Sequence, residues 1–367
     1  MKLTLLPALR RLWRAPTTVQ LGVDPRRATT LEFTHPHMAK VLDLLDGSRD
    51  EAAIATEAAV LGLNKAEAHR LVGALHAKGL VIDSTALTPS DLPESTRLRL
   101  ESECAALSLR ERASQRYPAD LLRRRRRAKV LISGRGRLAA PIAALLGAAG
   151  VGRMQIQLEG RVSHADVALG GLLLSDLGRP RAVAAADAVR RAAPDTDIRP
   201  LHGVEPDLAI LVGTPKPAPL TALAHNYRRR PHLTVWLRDG VVVLGPLVRP
   251  GETPCLQCLD LHRRNRDPLW PVIAAQLGTY PDDIEHAEAA VVAAGAATAA
   301  IHALCHLDGG EPESIGGAVE LSPTGRARRR SWPPHPRCGC IARTAHDHLP
   351  ATATRENLAD PDVGDGE

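Results

Sequence analysis

The 367-residue sequence holds six cysteines, and four of them fall into two tight pairs. Cys255 and Cys258 stand in PCLQC, and Cys338 and Cys340 in HPRCGC. C-x-x-C and C-x-C spacings let two thiolates reach one ion. Structural zinc takes four such ligands in a tetrahedron, with sulfur about 2.3 Å from the metal. A shell filled by four thiolates has no open position, so the expected chemistry is a structural zinc clip rather than catalysis. A redox C-x-x-C would open a helix with an aromatic beside it, and PCLQC has none. Unpaired thiols are the other alternative. His262 and His335 lie near the pairs in sequence, but four thiols already complete a site. Cys104 and Cys305 are isolated, and Cys305 reads as core on an Ala-rich helix.

A second group is Gly134, Gly136 and Ala139, which fit G-x-G-x-x-[GA] between the apolar AKVLIS and a helical stretch. Backbone amides there can hold a diphosphate at a helix N-terminus. Small residues in that place also let strand and helix pack closely.

The elements around these residues divide the chain. Residues 1–85 read as one unit. TTVQLGVD and ATTLEFTH alternate apolar and polar residues and predict a hairpin. Three helix-like stretches follow. The first places Met38, Val41, Leu42 and Leu45 on one face. The second has Ser48 as N-cap, with Glu51 completing a capping box. The third has Asn64 as N-cap and Leu71, Leu75 and Leu80 inside. GLVID returns as a short strand, and the order is similar to a winged helix-turn-helix. Residues 86–127 read as a polar linker carrying some helix. Residues 128–345 alternate strands and helices, which predicts a mainly parallel, doubly wound α/β sheet. HAEAAVVAAGAATAAIHALCHL reads as a long buried helix. Residues 346–367 read as a disordered acidic tail.

Composition narrows the function. Net charge is +6, concentrated in LLRRRRRAKV and RARRR, which read as solvated or linker arginine or as a basic groove for an acidic peptide. Aromatic residues are 2%, too few for the stacking platforms of single-strand nucleic-acid binders. NKAEAHRLVGALHAKGL offers few base-reading side chains, so no nucleic-acid partner is expected. No apolar run approaches the roughly 20 residues of a bilayer span, and the N-terminus lacks the features of a signal peptide. A cytoplasmic protein with no membrane partner is expected, and there paired cysteines point to metal rather than disulfides.

SDLGRPRAVAAADAVRRAAPDTDIRPL (residues 175–201) resembles the D-[IL]-G-x-x-[KR]-A…NP-[DH] segment of the ThiF/MoeB-like adenylyltransferases. The glycine turn before it and the cysteine pairs after it come in that family's order. The resemblance implies a Rossmann-type ThiF-like domain with a zinc knuckle, binding Mg-ATP and adenylating a carboxylate. The sequence departs from the family where ATP is held. LEGRV puts Leu158 and Gly160 where acids stand, Arg181 replaces a lysine, and Gly213 and Thr214 replace the magnesium acid. ATP is therefore not expected to bind, and Gly134, Gly136, Ala139 and Arg181 form a vestigial nucleotide loop. The alternative, an active ATP-dependent adenylyltransferase, needs an acid at Glu159, Asp166 or Asp176.

A winged helix ahead of a ThiF-like domain resembles the leader-peptide-binding proteins of thiazole/oxazole-modified peptide (TOMM) biosynthesis, a class of RiPP and bacteriocin pathways. TPCLQCLDLHRRNRDPLWPVIAAQL is similar to the actinobacterial members. The resemblance implies capture of a precursor leader peptide, delivery to a YcaO cyclodehydratase that makes azolines, and a homodimer. It implies a peptide clamp at the strand edge and third helix: Leu31, Phe33, His69, Arg70, Val72, Gly73, His76 and Lys78. No catalytic residue is expected.

Overall fold

The computed structural model describes residues 1–110, 117–213, 224–279 and 286–341. The expected tail at 346–367 lies outside them, as does Thr214.

The N-terminal unit holds two small sheets. Strands β1 (Lys2–Leu5), β2 (Arg11–Ala15), β3 (Thr18–Leu21) and β4 (Thr29–Glu32) open the chain. The expected hairpin is β3 with β4, paired antiparallel with Val19 opposite Leu31. Strand β2 joins its other side, giving the order β2-β3-β4. A 3₁₀ turn (Pro36–Lys40) leads to α1 (Val41–Leu44), β5 (Asp46–Asp50), α2 (Glu51–Val60), α3 (Lys65–Ala77), β6 (Val81–Asp83) and α4 (Ser84–Leu87). The second sheet is β5-β1-β6, antiparallel throughout.

Two local expectations need correction. Ser48 is not the N-cap of α2. Asp50 is, its carboxylate accepting from the Ala53 amide at 2.8 Å. Ser48 lies within β5, and its hydroxyl bonds Asp46. The aspartate wins because pairing of β5 with β1 keeps residues 46–50 extended. In α3, Asn64 caps as expected, accepting from Ala66 at 2.9 Å. Its buried stripe, however, is Ala68, Val72 and Leu75, and Leu71 is only half-buried.

The stretch read as a linker contains α5 (Glu94–Arg110) and α6 (Pro118–Arg127), packed through Leu100, Cys104, Leu107, Leu121 and Leu122. One arginine of the RRRRR run is fully buried. Arg125 donates from Nε and Nη2 to Asp308 at 2.8 and 2.7 Å and from Nη1 to Glu103 at 2.6 Å.

The α/β unit runs β7 (Lys129–Gly134), α7 (Ala139–Ala148), β8 (Arg153–Leu158), α8 (Arg181–Ala192), β9 (Leu208–Val212), β10 (His232–Arg238) and β11 (Val241–Val248). It continues with α9 (Leu256–Arg266), α10 (Trp270–Thr279), α11 (Ala289–Leu307), β12 (Gly317–Leu321) and β13 (Ala327–Ser331). The seven-stranded order is β13-β12-β11-β10-β9-β7-β8. Strands β8, β7, β9 and β10 are parallel, and β10 to β13 are antiparallel neighbours. The sheet is thus mixed rather than mainly parallel. The cause is local: Asp239 and Gly240 both have positive φ, 51° and 78°, which makes the Asp-Gly hairpin turn that reverses β10 into β11. DTDIRPL adds no strand and makes only an isolated bridge, Asp197 to Arg153.

Helix α11 packs on β11 and α7 and puts Val291, Val292, Ala296, Ala299 and Ala303 into the main core. Among the described residues it is the one helix whose length and mean hydropathy of 1.7 would suit a bilayer. Its inner face explains that composition. RARRR forms the edge strand β13, exposed along its length, where charge deters pairing with other strands.

Candidate functional site

The glycine turn closes β7 and opens α7, as its spacing predicts. Gly134 has φ of 120° and Gly136 φ of 100°. A Cβ on Gly134 would lie 1.9 Å from the Val212 carbonyl oxygen. This glycine is therefore required by the contact between neighbouring parallel strands, whether or not any ligand approaches. Gly213 has the same relation to the turn, since a Cβ there would come 2.8 Å from the Arg135 carbonyl oxygen. Ala139 is fully buried at the start of α7.

Arg181 does not reach into open space. It is 5% exposed, and its Nε and Nη2 both donate to Asp166 Oδ2 at 3.0 Å. Nη1 donates to the Glu159 carbonyl at 3.1 Å, directly over Gly160, where a Cβ would meet that nitrogen at 2.9 Å. Asp166 is 2% exposed and also accepts from the Ser163 amide and hydroxyl at 2.7 and 2.9 Å. Asp176 is equally buried and is taken up by the Leu173 amide and Arg179. Two of the three acids that could serve magnesium are therefore committed internally. Glu159, at the end of β8, is the one that lines a cavity.

That cavity, about 810 Å³, opens at the C-terminal ends of the parallel strands and runs over the antiparallel half of the sheet. Ligands of open α/β sheets collect at such strand ends. Its floor includes Trp236, Val243 and Ala318, and α9 walls it with Leu256, Leu259 and Arg263. Charge is uneven: Arg135, Arg238, Arg263, Arg266 and Arg330 line it against Glu159 and Glu320. Glu320 is shared by Arg238 at 2.7 Å and Arg330 at 3.1 Å. His225 also faces the cavity and stacks on His232 with ring centroids 4.8 Å apart. Burial drives both imidazoles down to about 4, so they are neutral near pH 7. Arg238, Arg263, Arg266 and the tryptophans were not singled out from sequence, whereas Arg330 belongs to the RARRR run read as solvated arginine or a basic groove. The signal was present as alternating residues Thr234, Trp236 and Arg238 on one strand face, but only the sheet order brings Arg330 beside them.

The four paired cysteines converge. Their sulfurs all lie within 4.8 Å of one another, with Cys255–Cys338 at 3.7 Å and Cys258–Cys340 at 3.4 Å. A tetrahedron with 2.3 Å metal–sulfur bonds has edges of about 3.8 Å, so the donor set fits zinc. The same distances are far beyond a disulfide bond, and all six cysteines are free. Burial pushes the Cys338 thiol up to about 11 and raises Cys340 as well. Burial acts upward on Cys258 too, but backbone amides of His335 and Cys255 favour its thiolate and the net shift is downward. A bound cation would favour the thiolate at every one of these positions. The His335 amide donates to Cys258 Sγ at 3.3 Å, a second layer around the cluster. His335 and His262 are not ligands: their rings bond Asn265 and the Pro333 carbonyl. Cys104 and Cys305 lie apart from the cluster, and burial raises both thiols.

The N-terminal candidates separate by exposure. Phe33 and Val72 are core residues, 7% and 2% exposed, and Leu31 is half-buried against the same cluster. Arg70, Gly73, His76 and Lys78 are on the surface of α3 or at its C-cap. His69 is also exposed and pairs with Glu51 at 2.9 Å. A Cβ on Gly73 would meet nothing within 4 Å.

Comparison with known proteins agrees with this architecture. The sequence profile of the ThiF family matches residues 109–204. Protein HesA of Nostoc sp. is 29% identical over 176 residues, which is 43% of this chain and 68% of HesA. The structure is similar to that of Escherichia coli MccB solved with ATP, with a TM-score of 0.66 and 15% identity, covering 93% of this chain and 100% of MccB. MccB with AMPCPP and MccA superposes with a TM-score of 0.67 and 13% identity, over 93% and 99% of the two chains. PaaA is similar with a TM-score of 0.57 and 17% identity, over 71% of this chain and 90% of PaaA. At these identities the structural matches establish a shared fold.

Proposed function

We propose that this protein is a non-catalytic peptide carrier: it binds the leader of a ribosomal precursor peptide and presents it to a YcaO cyclodehydratase for azoline formation. The observation that carries the reading is the internal commitment of the nucleotide end. Arg181, where the related enzymes have a lysine, is locked on Asp166 and the Glu159 carbonyl. Asp176 is locked likewise. A scaffold that spends these groups on its own folding has little left to bind Mg-ATP. The similarity to MccB, solved with both ATP and an MccA peptide, supports a peptide as the ligand class.

In this reading residues 1–85 are the recognition element, with a winged-helix arrangement built on α1, α2 and α3. Strand β4 has a neighbour on one side only among the described residues. An extended leader adds to its free edge through backbone hydrogen bonds, and the exposed face of α3 reads its side chains. Arg70 and Lys78 suit an acidic leader. Zinc, held by Cys255, Cys258, Cys338 and Cys340, ties the start of α9 to the segment after β13 and serves structure alone. The α/β unit is the platform and the dimerisation module, and the protein works in the cytoplasm without nucleic acid or membrane.

A second reading, ATP-dependent adenylation, rests on Glu159, which lines the cavity one position from where the family places an acid. Calorimetric titration of the zinc-loaded full chain with Mg-ATP separates the two. The carrier reading expects no heat at concentrations that reveal millimolar binding. Saturable micromolar binding followed by pyrophosphate exchange would replace it with the enzyme reading.

A further inference from the structure

Among the described residues, the cavity holds an arginine, Arg263, with no acid hydrogen-bonded or ion-paired to it. Arg263 projects from α9 into the cavity wall, and its guanidinium lies 4.7 Å from the centroid of Trp270. Among the described residues it makes no hydrogen bond or ion pair. Its nearest charged neighbours include Arg238, Arg330 and Arg266, all of which repel it, and burial further weakens its hold on its proton. Asp260 is the opposing charge, but its oxygens are engaged by Trp270 at 2.7 Å and Arg264 at 2.8 Å. Glu320, the acid on the facing sheet, is already shared by Arg238 and Arg330. Three further arginines gather around this half-buried one while the Glu320 carboxylate is already divided between two of them, a repulsion that an entering anion would relieve.

Position along the sheet identifies which anion. The glycine turn closes β7, whereas Glu320 lies on β12 and Arg330 on β13. In sheet order β12 is four strands from β7. At about 4.8 Å per strand, Arg238 on β10 is about 10 Å, Glu320 on β12 about 19 Å and Arg330 on β13 about 24 Å from the place where a diphosphate would sit. A phosphate on the glycine turn cannot answer Arg330 at the far end of the cluster. The floor between the two ends is apolar, formed by Trp236, Val243 and Ala318. A strip of about 19 Å accommodates roughly six residues of extended chain.

We propose that Arg238, Arg263, Arg266 and Arg330 form a carboxylate receptor for an acidic residue of a peptide lying along this cavity. The site is separate from the N-terminal recognition unit and does not rest on it. Arg263 and Arg330 close on the entering carboxylate in the same way that Arg238 and Arg330 already hold Glu320, by charge-assisted hydrogen bonds.

The test uses the zinc-loaded full chain and two pools of acetylated, amidated hexapeptides. The pools are randomised except for one fixed position, Glu in one and Gln in the other. Wild type should retain the Glu pool roughly tenfold over the Gln pool, the worth of one charge-assisted contact. Arg263→Met should erase that preference while melting no lower than wild type at low salt, because a repelled charge has been removed. Arg330→Gln should reduce it in parallel, which keeps the test valid should the Arg263 variant fold poorly. Leu169→Ser, at a residue 82% exposed and outside both the clamp and the cavity, should leave it unchanged. Equal retention of the two pools by wild type overturns the proposal. So does a Glu preference that survives in Arg263→Met with a lowered melting temperature, which would make Arg263 a structural strut on Trp270. Displacement of the Glu pool by inorganic phosphate at equal concentration assigns the site to a phosphate ligand and overturns the carboxylate.

Discussion

Replacing Arg181 by Met tests whether this side chain serves the fold or a nucleotide. The substitution keeps most of the volume and removes the charge. It strands Asp166, which is 2% exposed, and also takes a donor from the Glu159 carbonyl. Breaking a buried ion pair by removing one partner costs about 3–5 kcal/mol. Asp166 keeps two hydrogen bonds from Ser163, at 2.7 and 2.9 Å, so the lower end, about 3 kcal/mol, is expected. At about 2 °C per kcal/mol for a large chain the melting temperature should fall by roughly 6 °C. The double variant Arg181→Met with Asp166→Leu should recover more than half of that loss, because no charge is left buried alone. Thermal melts of the four proteins of this cycle, read beside Mg-ATP calorimetry, make the assay. A fall of less than about 2 °C in Arg181→Met, or no recovery in the double variant, would refute the structural role. Measurable ATP binding in wild type that vanishes in Arg181→Met would return Arg181 to phosphate binding.

Three further outcomes are expected. Purified protein should carry one zinc per chain by metal analysis, and Cys258→Ser should lose most of it together with thermal stability; full metal retention would dissolve the cluster reading. Stability should fall as pH drops from about 6.5 to about 4, because the unfolded chain protonates His232 while burial holds the folded imidazole down to about 4. His232→Asn, which retains a donor for the Arg230 carbonyl, should flatten that slope in pH-dependent denaturation, and an unchanged slope would exclude His232 as its source. Gly73→Glu should stabilise α3 by about 0.5–1 kcal/mol, since its missing Cβ faces open space, while weakening leader binding in fluorescence anisotropy. Undiminished binding would move the clamp away from α3.

Some features were legible because their cause is local. The Asn64 cap follows from a side chain reaching an amide two residues away, and the βαβ start at AKVLIS from hydrophobic pattern and glycine placement. Cysteine spacing pointed to a thiol cluster because each pair can reach one ion within a turn of chain, and the four sulfurs do lie within 4.8 Å of one another. Ser48 misled because two capping residues, Ser48 and Asp50, stand two positions apart, and only pairing with β1 chooses between them.

What the sequence alone determined is therefore short in range: element starts, the α/β order and the two cysteine pairs. Tertiary structure alone decided what Arg181 touches, since its partner lies 15 residues back around a loop. It also decided that Arg238, Arg263 and Arg330 share one cavity. Those three come from β10, α9 and β13, and their meeting depends on a hairpin reversal at Asp239–Gly240 and on strand register far downstream. Periodicity reports which face of an element is buried, but not which distant element arrives to cover it.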